Sequence, residues 1–464
     1  MHRLRDCVPV VCLLAAAAAP ALAQETGRRV YDEQLRVLLD QQAPDAREMG
    51  FDAGGWFNFA FFNFDDAAAR KERTLRQYEL RLWGKMNLQG VHRAYVRGMM
   101  GWDDWNSGTN PDGDGDEFNH PKVERAWYQF DLARWQKLQT GKPPPVGFRT
   151  RVGRDYVDLG TGLVLAMPLD MVRFDVTAGN WELTALLGRT IEHSRNIDDS
   201  AAVADHQDRG MWGAQLRYNG FDRHRPFVYF LDNHDRTEPD FPSPTQKYQY
   251  NSRYVGAGSE GTVILPDLRY QTEVIGELGE TYSDGATRGK DHISAMAIDA
   301  LLEYLFRVDT HPKITAEYLF GSGDKDRTLS ATSTVGGNRV GTSDHAFNAF
   351  GFRDTGLAFA PRVSNLHIYS FGAAFWPLEK TELFKKLEVG TKAFLYQKAV
   401  SGAISDTTAD RDSHWVGWEW DVYCDWRITS DLMWTIRYGA FRPGGAYDDQ
   451  ETRHFLYTAM TFSF

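Results

Sequence analysis

The sequence predicts an all-β chain: a transmembrane antiparallel β-barrel of about 18 strands, with short periplasmic turns and long extracellular loops. Three observations predict it. The N-terminus reads as an export signal, the rest of the chain alternates apolar and polar residues, and the connections fall into two lengths.

The signal comes first. His2, Arg3 and Arg5 form a charged start, Val8 to Ala19 an apolar stretch, and Ala21-Leu22-Ala23 an A-x-A site before Gln24, so residues 1–23 are expected to be cleaved on export. The 464-residue chain has 52 Lys and Arg against 63 Asp and Glu, a formal charge of −11. The signal carries two Arg and one Asp, so its loss leaves −12, which argues against nucleic acid as a partner. Of three cysteines, Cys7 and Cys12 leave with the signal and Cys424 stands alone, so no intrachain disulfide is expected. No later stretch approaches the roughly 18 consecutive apolar residues of a membrane helix. A soluble periplasmic protein, a secreted protein and an outer-membrane barrel remain. Residues 24–50, with Val30, Leu35, Leu38 and Leu39 spaced among charges, read as a short helical periplasmic extension or plug before a barrel over 51–464.

Period-two patterning comes next. In Gln77 to Gln89 the even positions are Tyr, Leu, Leu, Gly, Met and Leu, and the odd ones Gln, Glu, Arg, Trp, Lys, Asn and Gln. Ala126, Tyr128, Phe130 and Leu132 alternate with Arg125, Trp127, Gln129 and Asp131, while Val416, Trp418, Trp420, Val422, Cys424 and Trp426 alternate with Gly417, Glu419, Asp421, Tyr423 and Asp425. A soluble sandwich would also alternate, so the count of strands decides. Eighteen candidates begin near 51, 74, 91, 122, 146, 164, 179, 208, 225, 248, 267, 290, 312, 365, 385, 415, 431 and 452. That is about 24 residues per strand and connection, which suits ~10-residue strands tilted through a bilayer, and an even count closes.

Connections at Pro143-Pro144-Pro145, 219–223 and 428–431 are short; those at 108–120, 196–208, 322–344 and 401–413 are long and polar. The chain ends Leu456-Tyr457-Thr458-Ala459-Met460-Thr461-Phe462-Ser463-Phe464, an alternation closing on an aromatic, as outer-membrane strands do. No fixed-period repeat supports a propeller or solenoid.

Spaced blocks then resemble one family. Val123-Glu124-Arg125-Ala126-Trp127-Tyr128 followed by Phe148-Arg149-Thr150-Arg151-Val152-Gly153-Arg154, then Phe352-Arg353 and Pro361-Arg362-Val363-Ser364-Asn365-Leu366, resemble the Arg-bearing segments of the bacterial alginate-export outer-membrane proteins. Glu419-Trp420-Asp421 is similar to their E-L-D strand, and Phe441-Arg442-Pro443-Gly444-Gly445-Ala446-Tyr447 to their F-K-P-G-D-A-Y turn, with Arg442 and Gly445 as departures. The resemblance implies an 18-stranded barrel passing an anionic polyuronate by passive diffusion, without chemistry or cofactor. It implies a pore lined by Arg125, Arg151, Arg154, Arg353, Arg362, Glu419, Asp421 and Arg442.

Parity independently turns Arg81, Lys85, Arg125 and Arg437 inward. Arg151 and Arg154 have opposite parity, so both can line the lumen only if Gly153 forms a bulge or one of them sits at a strand end. Guanidinium suits a sliding polyanion because it stays charged and pairs with carboxylates without burying them in one deep well. The global charge of −12 does not oppose this, because the acids cluster in loops and charges beyond roughly 8 Å are screened.

Asp112, Asp114 and Asp116, in a Gly-permissive loop, are candidate Ca²⁺ ligands or a solvated acidic loop able to bridge divalent ions to lipopolysaccharide. Gly256 to Gly261 matches G-x-G-x-x-G by letter, but the extended sequence after it offers no helix N-terminus for phosphate. His193-Ser194 lacks the companions of a hydrolase site, and no catalytic metal motif is present. The expected protein is therefore a non-enzymatic, monomeric outer-membrane channel among lipids, with periplasmic export proteins as candidate partners. A small-anion or general porin and a sealed structural or adhesive barrel stay open.

Overall fold

The computed structural model describes residues 49–110, 115–191, 194, 196–200, 203, 207–238, 246–284 and 289–464. The expected signal and most of the 24–50 extension lie outside these residues, as do Asp112, Asp114 and His193.

Alternation with one apolar face, repeated along the chain, leaves each strand with a lipid side and a wet side, and closure removes every edge. The strands are β1 (Met49–Asp66), β2 (Lys71–Leu88), β3 (His92–Trp105), β4 (Glu117–Asp131), β5 (Val146–Leu159), β6 (Leu165–Ala178), β7 (Trp181–Thr190), β8 (Arg209–Tyr218) and β9 (His224–Asp235). They continue as β10 (Tyr250–Thr262), β11 (Leu268–Thr281), β12 (Asp291–Leu305), β13 (Lys313–Gly321), β14 (Leu366–Phe375), β15 (Leu387–Lys398), β16 (Trp415–Arg427), β17 (Leu432–Pro443) and β18 (Arg453–Ser463). Each pairs antiparallel with its sequence neighbours, and β18 returns to β1 from Trp56↔Ser463 to Phe64↔Phe455. Gly55 and Phe464 exchange backbone hydrogen bonds at 2.9 Å, so the terminal aromatic completes the seam.

The outer face is apolar as parity requires: Leu82, Val96, Leu187, Val274 and Trp420 are exposed. Gln77, Glu79, Arg125, Gln129 and Glu419, of opposite parity, are buried inside. Observed strand starts match the expected ones closely except β4, which begins at Glu117 instead of near 122 because its pairing with β3 continues to Asp103↔Glu117. Gly256 to Gly261 lies within β10, so it is strand and not a phosphate loop.

One element was not expected. After β4, α1 (Leu132–Thr140) crosses the periplasmic rim. Asp131 caps it by accepting from Arg134 N, and Gly141 at φ 74° ends it with its N–H on Lys137 O. The prolines 143–145 then lead into β5.

The extracellular half of the lumen is narrowed by one connection. The 322–365 connection between β13 and β14 folds inward instead of projecting outward. Phe350 N–H donates to Val164 O at 2.8 Å, and Phe347 N–H to Ser322 O at 3.0 Å. Phe347 and Phe350 join a core with Leu165, Leu169, Tyr254 and Ile275, while Phe359 stacks on Phe441 at 4.3 Å between ring centres.

Candidate functional site

Two wall carboxylates fix the inward segment, and a third fixes the β5–β6 turn on which Phe350 and Phe352 rest. Glu419 accepts from Leu357 N at 2.5 Å, Ala358 N at 2.6 Å and Phe359 N at 2.8 Å. Glu277 accepts from Asn348 N at 2.9 Å. Glu273 takes Thr161 N at 3.1 Å and Thr161 Oγ1 at 2.5 Å. A buried backbone N–H without a partner costs about 1–3 kcal/mol, so these carboxylates let bare backbone lie across a lumen. Glu419, expected to line the pore, is thus an anchor for the constricting segment. Asp421 borders a cavity of about 450 Å³ together with Glu317, Arg353, Arg362, Lys392 and Arg437.

The cations form a belt. Arg81, Arg97, Arg125, Arg151, Arg173, Lys392 and Arg437 each lie five to seven residues above the periplasmic end of their strand. At ~3.3 Å per residue and a tilt near 40°, that is about 13–18 Å above the periplasmic rim, midway through the barrel. Arg353 reaches the same level from the inward segment. It meets Asp299 at 3.1 Å and Glu317 at 2.5 Å, and Lys392 links Glu317 at 3.4 Å with Asp354 at 2.9 Å.

Across β2 to β6 the belt interleaves with aromatic rings. Arg97 lies 5.5 Å from the ring centre of Trp56, Arg125 5.0 Å from Tyr95, and Arg151 4.2 Å from Trp127. Tyr95 stacks between Trp83 at 6.3 Å and Trp127 at 5.8 Å. Lys85 joins this wall as the register partner of Tyr95.

Acids hold each guanidinium in place. Glu124 joins Arg81 at 3.0 Å to Arg97 at 2.8 Å, Asp155 takes Arg125 at 2.7 Å and also meets Arg151, and Asp175 joins Arg149 at 3.1 Å to Arg173 at 2.9 Å. In this sector Arg81, Lys85, Arg93, Arg97, Arg125, Arg149, Arg151 and Arg173 outnumber Glu79, Glu124, Asp131, Asp155 and Asp175, so the local field is positive.

Glu124 shows what parity alone misses. Arg97 pairs with Arg125 and Gly98 with Val123, leaving Glu124 as the extra residue of a bulge that turns it inward beside Arg125. Arg97, Arg149, Arg173 and Lys392 were also missed, although Arg97 shares parity with Tyr95 and Arg149 with Arg151.

Two expected pore residues face outward. The ladder runs unbroken through Trp127↔Gly153 and Gly153↔Met171, so Gly153 makes no bulge and Arg154 keeps the outer parity of Val152. Gly153 adopts φ 125° and lets the strands close, since a Cβ there would stand 2.2 Å from Ala126 O. Arg154 pairs with Asp170 at 2.7 Å on the outer face. Arg442 lies opposite Trp418, is exposed, and donates to Thr452 Oγ1 at 3.2 Å at the extracellular rim. Arg437 faces inward, 3.3 Å from Asp425. Arg362 meets Asp199 at 3.7 Å and donates to Asn196 O at 2.7 Å, joining the inward segment to another loop. Of the Ca²⁺ candidates only Asp116 is described; it accepts from Trp105 N at 3.0 Å. Among the described residues no group of three acids, His or Cys could hold a metal.

A closed barrel with an apolar belt outside and a charged, constricted lumen inside is an outer-membrane channel of the porin type. Solved structures similar to it include Pseudomonas aeruginosa OccK8 (OprE), with TM-score 0.55 and 12% identity over 89% of this chain and 98% of that one. P. aeruginosa OccK5 (OpdH) gives 0.54 and 10% over 89% and 98%, and Acinetobacter baumannii OccAB1 gives 0.52 and 10% over 89% and 96%. At such identities they establish the fold. A search of curated proteins gives no match. The sequence profile for alginate export matches residues 59–459, and the chain belongs to that family.

Proposed function

We propose that this channel passes an anionic uronic-acid polysaccharide from the periplasm to the cell exterior by diffusion, as a single chain and without bond-making chemistry. The observation that carries the reading is the mid-barrel belt in which arginines alternate with Trp56, Tyr95 and Trp127. A uronate unit offers a carboxylate edge to guanidinium and an apolar ring face to an aromatic, so the wall matches both chemistries in one repeat. Every belt arginine already shares a carboxylate. An arriving uronate therefore exchanges one partner for another, which favours sliding over trapping.

The cavity of about 450 Å³ beneath the inward segment favours a second reading, passage of small organic acids. Planar-bilayer recording of the purified protein under a salt gradient separates the two. The first reading expects an anion-selective current that oligouronate blocks from the periplasmic side, more strongly with each added sugar. Block by monomeric uronate equal to that by a hexamer would replace it with the second.

A further inference from the structure

The outward turn of Arg154 is part of a larger pattern. Register partners run from Arg154 on β5 to Asp170 on β6, Arg189 on β7, Gly210 on β8 and His234 on β9. Asn251 on β10 pairs with Glu280 on β11, which pairs with His292 on β12. A cavity of about 320 Å³ on the outer face brings the His234 strand to Asn251, Arg253, Glu280 and His292.

Apart from Gly210 the row is polar, yet each strand beneath it presents apolar side chains: Val152, Val172, Leu187, Trp212, Val228, Val255, Val274 and Met296. Its charged members lie eight or more residues above the periplasmic strand ends. That is about 20 Å or higher, within about 5 Å of the outer edge of a ~25 Å apolar band counted from those ends, or above it.

On the other half of the barrel the outward positions near this height are largely apolar. Eight to ten residues up they include Phe57, Met100, Trp102, Leu395 and Trp418, with His367 and His454 against tyrosine hydroxyls. Charge on the other half is sparser, at Arg442 and the Arg76–Asp104 pair, so the continuous polar row is a feature of the β5 to β12 side.

Its cations are held ready. Arg189 grips Asp208 at 2.6 Å while 60% exposed, and Arg253 gives its Nε–H to Asp232 at 2.9 Å while 68% exposed. Lys290 meets Glu280 at 2.6 Å and sits 5.7 Å from the Tyr282 ring. Two histidines border the same cavity. Guanidinium, ammonium and imidazole donors over an apolar wall match a phosphorylated glycolipid, with acyl chains below and phosphates above exchanging with the paired acids.

We propose that the β5 to β12 outer face is a binding site for the phosphorylated headgroup of outer-leaflet lipopolysaccharide, centred on Arg189, Arg253 and Lys290. The site is independent of what the lumen carries.

The test is native mass spectrometry of the full chain, purified in detergent and titrated with bis-phosphorylated lipid A, with dephosphorylated lipid A and with inorganic pyrophosphate as competitor. The expected result is at least tenfold tighter binding of the phosphorylated lipid and a tenfold loss in Arg189→Gln/Arg253→Gln. Arg442→Gln, on the opposite half, should bind as the parent does. If the double variant fails to show the heat-modifiable mobility of a folded barrel, Arg253→Gln alone is read and should lose at least threefold. Equal binding of the two lipids, or an undiminished variant, overturns the proposal. Displacement of the lipid by millimolar pyrophosphate would make this a soluble-anion site and overturn it as well.

Discussion

Replacing Glu419 by Gln should release residues 356–359 from the barrel wall. The carboxylate accepts from Leu357, Ala358 and Phe359 backbone N–H groups at 2.5 to 2.8 Å, with Tyr396 Oη at 3.4 Å. Hydrogen bonds to a charged acceptor contribute about 1.5–3 kcal/mol each, and neutral ones about 0.5–1.5. Gln keeps one carbonyl oxygen for two donors and turns its amide toward the third, so one bond is lost and two weaken. Relief from burying a charge returns part of the loss, leaving about 2–4 kcal/mol. At 1.4 kcal/mol per factor of ten, the released population rises by roughly 30- to 700-fold. Ala358, buried at 6% exposure, reports on this as Ala358→Cys in a Cys424→Ser background, labelled by a bulky maleimide. The labelling rate should rise at least 30-fold with Glu419→Gln and single-channel noise should grow. The other anchors, Glu277 to Asn348 and Arg353 to Glu317, confine the release to this stretch. A rate unchanged within twofold would show that these hydrogen bonds do not hold the segment.

Other outcomes follow from the same geometry. Arg125→Gln removes a belt charge and leaves Asp155 paired with Arg151, so the reversal potential under a salt gradient should move toward zero; an unchanged potential would remove Arg125 from the selectivity belt. Trp127→Ala should weaken oligouronate block about three- to tenfold, consistent with stacking and cation–π contributions near 1 kcal/mol, while chloride conductance holds or rises. Leu187, six residues above the periplasmic end of β7 and 57% exposed, lies mid-band; Leu187→Arg should cost about 2–4 kcal/mol in a refolding titration. Burial pushes the Asp406 carboxyl up, but the Arg453 guanidinium and Thr408 outweigh it, leaving it below its ordinary 3.8. Its contribution is thus complete above the unfolded value and disappears as pH falls through the lower folded one. Protease protection of the 399–414 loop should hold from pH 7 to 5 and fall only below about pH 4.

The barrel was legible because period-two alternation is a direct record of lipid on one side and water on the other. Tyr78 to Leu88 and Trp418 to Trp426 needed no tertiary information to be read. Arg81, Lys85, Arg125 and Arg437 were legible for the same reason. Glu124 was not, because its bulge arises from pairing with β3, and a bulge reverses parity without a mark in the local sequence. Arg154 failed in the opposite sense: its parity, opposite to that of Arg151, called for a bulge at Gly153 or a strand-end position to turn it inward, but the ladder passes straight through Gly153 and leaves Arg154 outside. The inward fold of 322–365 depends on Glu277 and Glu419, which are remote in sequence and look like ordinary lumenal acids until the backbone N–H groups they receive are placed. Helix α1 carried its signals openly in Asp131 and Gly141, but its nine residues lay inside a stretch read for strands and turns.

The most direct test of the central claim is efflux from proteoliposomes loaded with two fluorescent chains of equal length, an oligouronate and a neutral glucan. The Arg-aromatic belt predicts that the oligouronate leaves at least tenfold faster, and that Arg97→Gln/Arg125→Gln/Arg151→Gln removes most of that preference while the barrel remains folded. Equal efflux of the two chains, or retention of both while chloride passes, would contradict a polyuronate path.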